Sequence, residues 1–196
     1  MFLYIVNIIH MNKINIISGK WKGKKIYVIK DKNLRPTMNF IRENLFNWLS
    51  KNLYMLKCLD CYAGTGALSF EALSRNALSA TLIENNFKIF QQLRKNSILL
   101  QTKKIMLIYK NTLDYLSTRG NQYDLIFIDP PFSKKNILIE KTCFLLENNY
   151  WLKNNALIYL EYKINSTKIV LPKNWFLYRK RKLSIVNYEL YKRNYI

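Results

Sequence analysis

The chain has 196 residues, of which 49% are hydrophobic, and it carries 32 Lys and Arg against 12 Asp and Glu. This length and apolar content suit one domain with a substantial core, and they exclude wholesale disorder. The net charge of +20 favours a polyanionic partner, most simply a nucleic acid, although an A+T-biased genome that enriches Lys could account for part of it.

The cysteines predict a reducing environment and no metal site. Cys58 and Cys61 form a CxxC pattern, but no second pair follows, and His10 is the only histidine. A closed zinc site therefore lacks ligands, and we interpret the cysteines as ordinary buried thiols of a cytosolic protein.

The first ten residues are apolar but too short to span a bilayer. They have no basic flank and no small-residue cleavage site, so we predict neither a membrane segment nor a signal peptide. We interpret residues 1–12 as an extension of no catalytic importance or as the result of a mis-assigned start, with Met11 as the alternative initiator.

Residues 13–34 predict a basic β-hairpin around a glycine-containing turn. Lys20, Trp21, Lys22 and Lys24 fall in or beside the turn. An exposed tryptophan among lysines suits RNA contact, through phosphate pairing and base stacking. A solvated edge hairpin whose lysines discourage aggregation remains the alternative.

A helix is predicted after Arg35-Pro36-Thr37, with Thr37 as a possible N-cap. Its apolar residues recur at near-helical spacing and include Phe40, while Arg42 and Glu43 fall on the other side. We expect this helix to pack across the sheet that follows.

Residues 57–73 predict a strand, a glycine turn and a helix, with Tyr62, Ala63, Gly64, Thr65 and Gly66 forming the turn. Glycines allow the backbone to approach a ligand closely, and the helix N-terminus offers free N–H groups. The third glycine of the dinucleotide fingerprint is missing. Asp60, four residues before Gly64, can accept a hydrogen bond from an ammonium group. This combination favours a nucleoside that bears an amino acid over a pyrophosphate.

The next two predicted strands also end in polar residues. Glu84 follows the strand Ala80–Ile83 and lies 20 residues beyond Gly64, where a carboxylate can accept both ribose hydroxyls. A helix-capping or exposed glutamate is the alternative. Asn111 follows the strand Ile105–Tyr109 and could hydrogen-bond an adenine edge.

The segment Leu125–Ile128 predicts a strand buried on both faces, and it ends in Asp129-Pro130-Pro131-Phe132. Two prolines cannot continue a central strand, so the chain turns there. An acid, carbonyl groups and an aromatic ring therefore meet at the carboxyl end of a strand, where open α/β sheets bind ligands.

The C-terminal region predicts a fifth strand at 156–161 and a closing hairpin with strands at 175–178 and 184–191. Between the last two strands lie four consecutive cations, which we interpret as a basic turn that contacts phosphate: Arg179, Lys180, Arg181 and Lys182. A solvated loop is the alternative.

Together, the glycine turn, the acid after the second strand and Asp-Pro-Pro-Phe after the fourth fit an S-adenosylmethionine-dependent methyltransferase. The predicted fold is α/β, Rossmann-like class I, with a seven-stranded, mostly parallel sheet, helices on both faces and an added N-terminal β-hairpin. We assign the methyltransferase domain to residues 35–196.

The motifs at 35–37, 45–47, 58–68, 71–75, 82–84 and 129–132 jointly resemble the bacterial small-subunit rRNA guanine-N2 methyltransferases, which modify guanine 966 of 16S rRNA. The resemblance implies that the protein binds 16S rRNA, and we expect it to act within an assembling 30S particle. Nothing in the sequence suggests an obligate dimer or a metal, so we expect a monomer without a metal. It also implies the roles of individual residues: Gly64, Thr65 and Gly66 line the methionine part of the cofactor, Glu84 binds the ribose, Asn111 binds the adenine, and Arg35 and Thr37 border the target pocket.

In this interpretation Asp129 and the Pro130 carbonyl accept the two N–H bonds of the guanine amine, and Phe132 stacks on the flipped base. A DNA adenine-N6 methyltransferase shares the four-residue motif but usually carries a separate recognition region. A protein-glutamine methyltransferase is disfavoured by the charge, and an NAD-dependent dehydrogenase by the glycine pattern. A non-catalytic, basic RNA-binding assembly factor is the remaining alternative.

Overall fold

A computed structural model describes residues 12–29, 38–49, 53–131, 136–164 and 169–194. Within these ranges no helix combines the length and the apolarity needed to cross a membrane. Most of the predicted extension, residues 1–11, and the predicted pocket residues Arg35, Thr37 and Phe132 lie outside them.

The elements follow the predicted order. The hairpin consists of β1 (Asn12–Asn15) and β2 (Lys25–Val28), joined through a 3-10 turn at Gly19–Trp21. The strands of the main sheet are β3 (Lys57–Asp60), β4 (Ser79–Glu84), β5 (Ile105–Tyr109), β6 (Tyr123–Ile128), β7 (Leu152–Lys163), β8 (Trp175–Leu183) and β9 (Val186–Arg193). The helices are α1 (Asn39–Leu49), α2 (Ala67–Ser74), α3 (Phe87–Leu99), α4 (Thr112–Leu116) and α5 (Ile137–Asn148).

Strands β3 to β9 form a seven-stranded sheet in the order β5-β4-β3-β6-β7-β9-β8, with β9 antiparallel to both of its neighbours. The other pairings within this sheet are parallel. The strand order reverses between β3 and β6, and ligands of open α/β sheets bind in the crevice beyond the carboxyl ends at such a point.

Helices cover both faces of the sheet. One face packs against α1, α2, α3 and the hairpin, and contributes Phe127 and Tyr159 to a large apolar cluster. The other packs against α4 and α5, and contributes Ile126 and Ile158. Side chains of a strand point alternately to opposite faces, so the central strands are apolar at nearly every position.

The hairpin docks on α2 through its backbone. The buried carboxylate of Glu71 accepts hydrogen bonds from the N–H groups of Ile17 at 2.7 Å and Ser18 at 3.0 Å. At Gly19, where φ is +82°, an added Cβ would lie 1.9 Å from the Ser74 carbonyl oxygen, so only glycine permits this approach. These contacts fix the hairpin against the helix that begins at the glycine turn.

A second backbone contact holds β2 against α3. The side chain of Asn96 accepts from the Tyr27 N–H at 3.0 Å and donates to the Tyr27 carbonyl at 2.9 Å. This amide substitutes for a neighbouring strand and satisfies a backbone edge that would otherwise be unpaired.

The expectation of an exposed Trp21 is wrong. Trp21 is 5% exposed and belongs to the core, and its backbone N–H donates to Ser74 Oγ at 2.9 Å. The short 3-10 turn rotates the indole toward α2 instead of solvent, so it cannot stack on an RNA base. The neighbouring lysines Lys20, Lys22 and Lys24 are exposed as expected.

The two faces of α1 also differ from the prediction. Arg42, expected on the solvent side, is fully buried, whereas Phe40 is 52% exposed. Arg42 Nη2 donates to the Asn15 carbonyl at 3.0 Å and to Asn39 Oδ1 at 2.6 Å, linking α1 to the hairpin. Helical periodicity could not anticipate this, because the hairpin covers a face that would otherwise meet water.

The predicted basic turn is wrong in its placement. Arg179, Lys180, Arg181 and Lys182 lie within β8, and the turn falls at Ser184 and Ile185. β8 is an edge strand, and its residues from Phe176 to Lys182 are exposed. The cations therefore form an extended row along the edge of the sheet.

Candidate active site

The turn after β3 has a backbone that requires glycine. Gly64 and Gly66 have φ of 50° and 76°. A Cβ at Gly66 would lie 2.6 Å from the Phe70 ring and 2.7 Å from Leu93 Cδ2. The Ala63 N–H donates to the Ile83 carbonyl at 3.0 Å, so the turn is held against the end of β4. A larger residue at either glycine would distort this turn.

Glu84 faces the turn from β4. Its carboxylate accepts from the Gly64 N–H at 3.0 Å and from the Asn86 N–H at 2.8 Å. The two oxygens of the carboxylate each accept one backbone N–H, so its orientation at the glycine turn is fixed. The side chain is 9% exposed, which contradicts the alternative of an exposed glutamate.

Asp60 lies below the turn and is 2% exposed. Burial raises the pKa of Asp60 to about 7, and the nearby Glu84 raises it as well. The hydrogen bonds from Ser69 Oγ at 2.7 Å and from the Tyr62 backbone lower this pKa, but by less than burial raises it. A buried carboxyl group with this pKa is a typical functional-site feature. A cationic ligand would favour its ionised form.

Asn111 is exposed and caps α4, with its side-chain oxygen accepting from the Leu113 N–H at 2.9 Å. The following Thr112 hydroxyl donates to the Cys61 carbonyl, which ties this helix to the end of β3. Asn111 lies beyond the end of β5, and its contact with adenine stays a prediction.

Asp129 and Pro130 directly follow β6, next to the point where the strand order reverses. Asp129 is half-buried, Pro130 is buried and Pro131 is exposed. The pairs of β6 with β7 end at Ile128 and Leu160, so Asp129 is level with Glu161, one residue further along each strand.

Among the described residues, four carboxylates occupy one face at the carboxyl edge of the sheet: Glu84, Asp60, Asp129 and Glu161. Asp60 pairs with Leu82 and with Phe127, so Glu84 and Asp129 each lie two residues further along a neighbouring strand. Two of these acids lie on the glycine-turn side of the reversal point, and two lie on the Asp-Pro-Pro side.

The described residues contain no group of three or more His, Cys, Asp or Glu side chains that could hold a metal ion. Cys58, Cys61 and Cys143 are free and buried. Burial raises the pKa of each thiol, so none is prepared as a nucleophile.

Comparison with known proteins agrees with this geometry. A family model described as conserved hypothetical protein 95 matches residues 14–192. The chain belongs to this family. It is 46% identical over 183 residues to ribosomal RNA small subunit methyltransferase D of Buchnera aphidicola subsp. Baizongia pistaciae, covering 92% of each chain. It is 42% identical over 181 residues to the Escherichia coli K12 protein of that name, covering 92% of this chain and 90% of the relative.

The solved structure of yhhF from Escherichia coli has 40% sequence identity and a TM-score of 0.88, covering 93% of this chain and 99% of that one. The predicted fold class and the resemblance drawn from the motifs are thereby confirmed. The expectation of a methyltransferase is confirmed too, since both relatives are named as methyltransferases.

Sequence reasoning found the two acids beside the glycine turn and Asp129, but assigned no role to Glu161. Glu161 belongs to a strand that was correctly predicted, and a detectable signal was present: an acid at the end of an otherwise apolar run. Its significance depends on being level with Asp129, and only the strand register provides that.

Proposed function

We propose that this protein transfers a methyl group from S-adenosylmethionine to the exocyclic N2 amine of a guanine in 16S rRNA, at the position corresponding to guanine 966. One observation carries the proposal. The glycine turn with Asp60 and Glu84 lies on one side of the point where the strand order reverses, and Asp129-Pro130 lies on the other. We call this group of residues the catalytic corner. The names of the relatives support the choice of substrate.

The polar groups around the glycine turn fit the proposed cofactor. Asp60 would accept from the ammonium group of the methionine part, and Glu84 from the ribose hydroxyls. Gly64, Thr65 and Gly66, together with Tyr62 and Ala63, would form the backbone cradle, and Asn111 would contact the adenine. When bound, S-adenosylmethionine supplies an electrophilic methyl group on a sulfonium.

The target side needs hydrogen-bond acceptors. The guanine amine is a poor nucleophile because its lone pair is delocalised into the ring. Asp129 and the Pro130 carbonyl would accept its two N–H bonds, raising the electron density on nitrogen and directing the lone pair. Proline has no N–H, so Pro130 and Pro131 leave the turn without strand pairing. Phe132 would stack on the base, and Arg35 and Thr37 would border it.

The substrate would be bound by exposed cations on two surfaces. One is the hairpin surface with Lys20, Lys22 and Lys24, and the other is the edge strand β8. We further propose that the substrate is an assembling 30S particle, and that the protein acts as a cytoplasmic monomer without a metal.

The test is methyl transfer from labelled S-adenosylmethionine to 30S particles that lack the modification, followed by mass spectrometric mapping of the methylated nucleotide. We expect one methyl group on the N2 of a single guanine. Label on DNA alone, on protein alone or on nothing would refute the proposal.

Asp129→Asn keeps the shape of the side chain and removes its negative charge. We expect the rate of transfer to fall by about 10²- to 10³-fold, the size found for removal of one preorganised electrostatic contact. RNA affinity, measured by filter binding, should change little. An equal loss of affinity and rate would instead assign Asp129 a structural role.

A further inference from the structure

Glu161 is a buried carboxylate beside the proposed catalytic corner. It is 5% exposed and lies level with Asp129 on the adjacent strand, on the same face of the sheet. Tyr159, two residues earlier on that face, is fully buried, and its hydroxyl donates to Glu161 Oε2 at 2.8 Å. Burial raises the pKa of the Tyr159 hydroxyl strongly, and Glu161 and then Asp129 raise it further, so both carboxylates lie near this tyrosine.

The carboxylate of Glu161 is therefore held in a fixed orientation at the carboxyl edge of the sheet, next to the proposed catalytic residue Asp129. On the other side of Glu161, its cross-strand partner on β9 is Tyr188, whose ring stacks on Trp48 with a centroid distance of 5.4 Å. An acceptor oriented by a tyrosine and flanked by rings is shielded from water, so a hydrogen bond made there discriminates strongly.

Guanine presents a second donor next to its exocyclic amine, the N1–H group. Adenine presents an acceptor, its N1, at the corresponding position beside N6. A single acid such as Asp129 accepts from an amine of either base. A second carboxylate beside the first accepts from guanine N1–H and repels the adenine N1 lone pair.

We propose that Glu161 is a specificity-determining residue that accepts the N1–H of the target guanine while Asp129 and Pro130 hold its amine. The inference rests on the proposed function and adds the basis for choosing guanine. Tyr159 is a positioning residue in this arrangement, since it acts through Glu161.

The test uses 16S rRNA assembled into 30S particles with either guanine or 2-aminopurine at the target position. 2-Aminopurine keeps the exocyclic amine but has an acceptor in place of N1–H. We expect the wild-type protein to prefer guanine by about 100-fold or more in kcat/KM, since a site built around a donor rejects analogues that lack it. In Glu161→Gln the amide can donate to the unprotonated N1, so the preference should fall to within about threefold of unity.

Glu189→Gln is the matched control. Glu189 is 3% exposed and accepts from the hydroxyls of Tyr162 at 2.9 Å and Tyr191 at 2.6 Å, but lies on the opposite face of the sheet. It should keep the wild-type preference, whatever its stability. Tyr159→Phe should reduce the preference less than Glu161→Gln does.

The outcomes separate the inference from the function on which it rests. A wild-type protein that methylates guanine and 2-aminopurine equally overturns the role of Glu161, and this holds even if Glu161→Gln fails to fold. A folded Glu161→Gln with the wild-type preference overturns it too. A wild-type protein that methylates neither base overturns the proposed function instead.

Discussion

Asp60 combines deep burial with a pKa raised to about 7, so near neutral pH it is divided between its neutral and ionised forms. A carboxyl group of this kind is poorly suited to a purely structural role, because its ionised form is unfavourable without a cation. Because Ser69 Oγ already fixes one oxygen at 2.7 Å, the group is oriented before any ligand arrives. Cofactor affinity should therefore depend on the protonation of Asp60.

We expect the affinity for S-adenosylmethionine to fall as the pH drops through 7, by about five- to tenfold between pH 7.5 and pH 6, since only the ionised carboxylate attracts the ammonium group. The dissociation constant, measured by isothermal titration calorimetry across this range, checks the prediction. Asp60→Asn should bind weakly and show no such slope. A slope that persists in this variant would assign the titration to another group.

Much of the candidate site could be predicted from residues alone. Asp60 and Glu84 end strands, whereas Gly64 and Asp129 follow them. The carboxyl ends of parallel strands meet at one edge of the sheet, so the proximity of these residues could be expected. Trp21 and Arg42 could not be predicted. Their environments are set by the docking of one element on another, and local periodicity carries no information about that contact.

The edge strand β8 is the element with the largest row of exposed cations, but these are not equivalent. Lys180 Nζ lies 2.7 Å from Glu189 Oε1, and Arg181 Nη1 donates to Asn44 at 3.0 Å. Arg179 lies over the Tyr178 ring at 4.3 Å, and Lys182 is exposed. Arg179 and Lys182 are therefore the better candidates for phosphate contact, and lysines on an edge also oppose strand-to-strand aggregation.

We expect Arg179→Ala combined with Lys182→Ala to weaken RNA binding by about tenfold at moderate salt, through lost phosphate contacts. The matched control is Lys103→Ala combined with Lys104→Ala, which removes the same charge from exposed positions before β5, at the opposite edge of the sheet. Fluorescence anisotropy with a 16S rRNA fragment measures both. Equal losses would mean that total charge, and not β8, determines affinity.

At the other end of β8, Glu147 joins α5 to the closing hairpin. Its carboxylate accepts from the side chains of Asn174 at 2.9 Å and Trp175 at 2.8 Å, and pairs with Arg193 at 2.6 Å. Burial alone would raise the pKa of Glu147, but the hydrogen bonds from Arg193, Asn174 and Trp175 lower it below the usual value.

Glu147→Gln should lower the free energy of unfolding by about 1–3 kcal/mol, because hydrogen bonds to a charged group are lost. A depressed folded pKa gives stabilisation that is present above the unfolded pKa of about 4.3 and is lost as the pH falls through the folded value. Urea unfolding at pH 7 and at acidic pH checks both. Glu43→Gln, at an exposed position of α1, should change stability by less than about 0.5 kcal/mol.

The molecule as a whole has a net charge of +20, whereas the titratable side chains at the proposed catalytic corner are acidic. Cations are exposed on the hairpin and on β8, while carboxylates on one face at the carboxyl edge are largely buried. The arrangement attracts a polyanion to the surface while keeping acceptors at the corner. Long-range attraction of this kind is screened by salt.

RNA affinity should therefore fall steeply with salt, by roughly 10³-fold between 50 and 200 mM if six or more phosphates are neutralised. Anisotropy titrations over that range give the slope. A flat response would mean that the charge reflects composition and not RNA contact.

The succession of strands and helices along the chain was predictable, because each element has its own hydrophobic period and clear end signals. The placement of the last turn was not: four cations look like a loop, but an edge strand exposed to solvent tolerates them equally well. Whether the residues of a strand are exposed depends on its position in the sheet. The sequence of β8 alone does not show that it lies at the edge.

The hairpin is attached by its own N–H and C=O groups, to Glu71, Ser74 and Asn96. None of these bonds involves a hairpin side chain. The outward lysines can thus be exchanged without loosening the attachment, and such exchanges alter affinity for a polyanion while leaving the glycine turn in position. During evolution, substitutions of these lysines can therefore change the affinity for the substrate without changing the catalytic site.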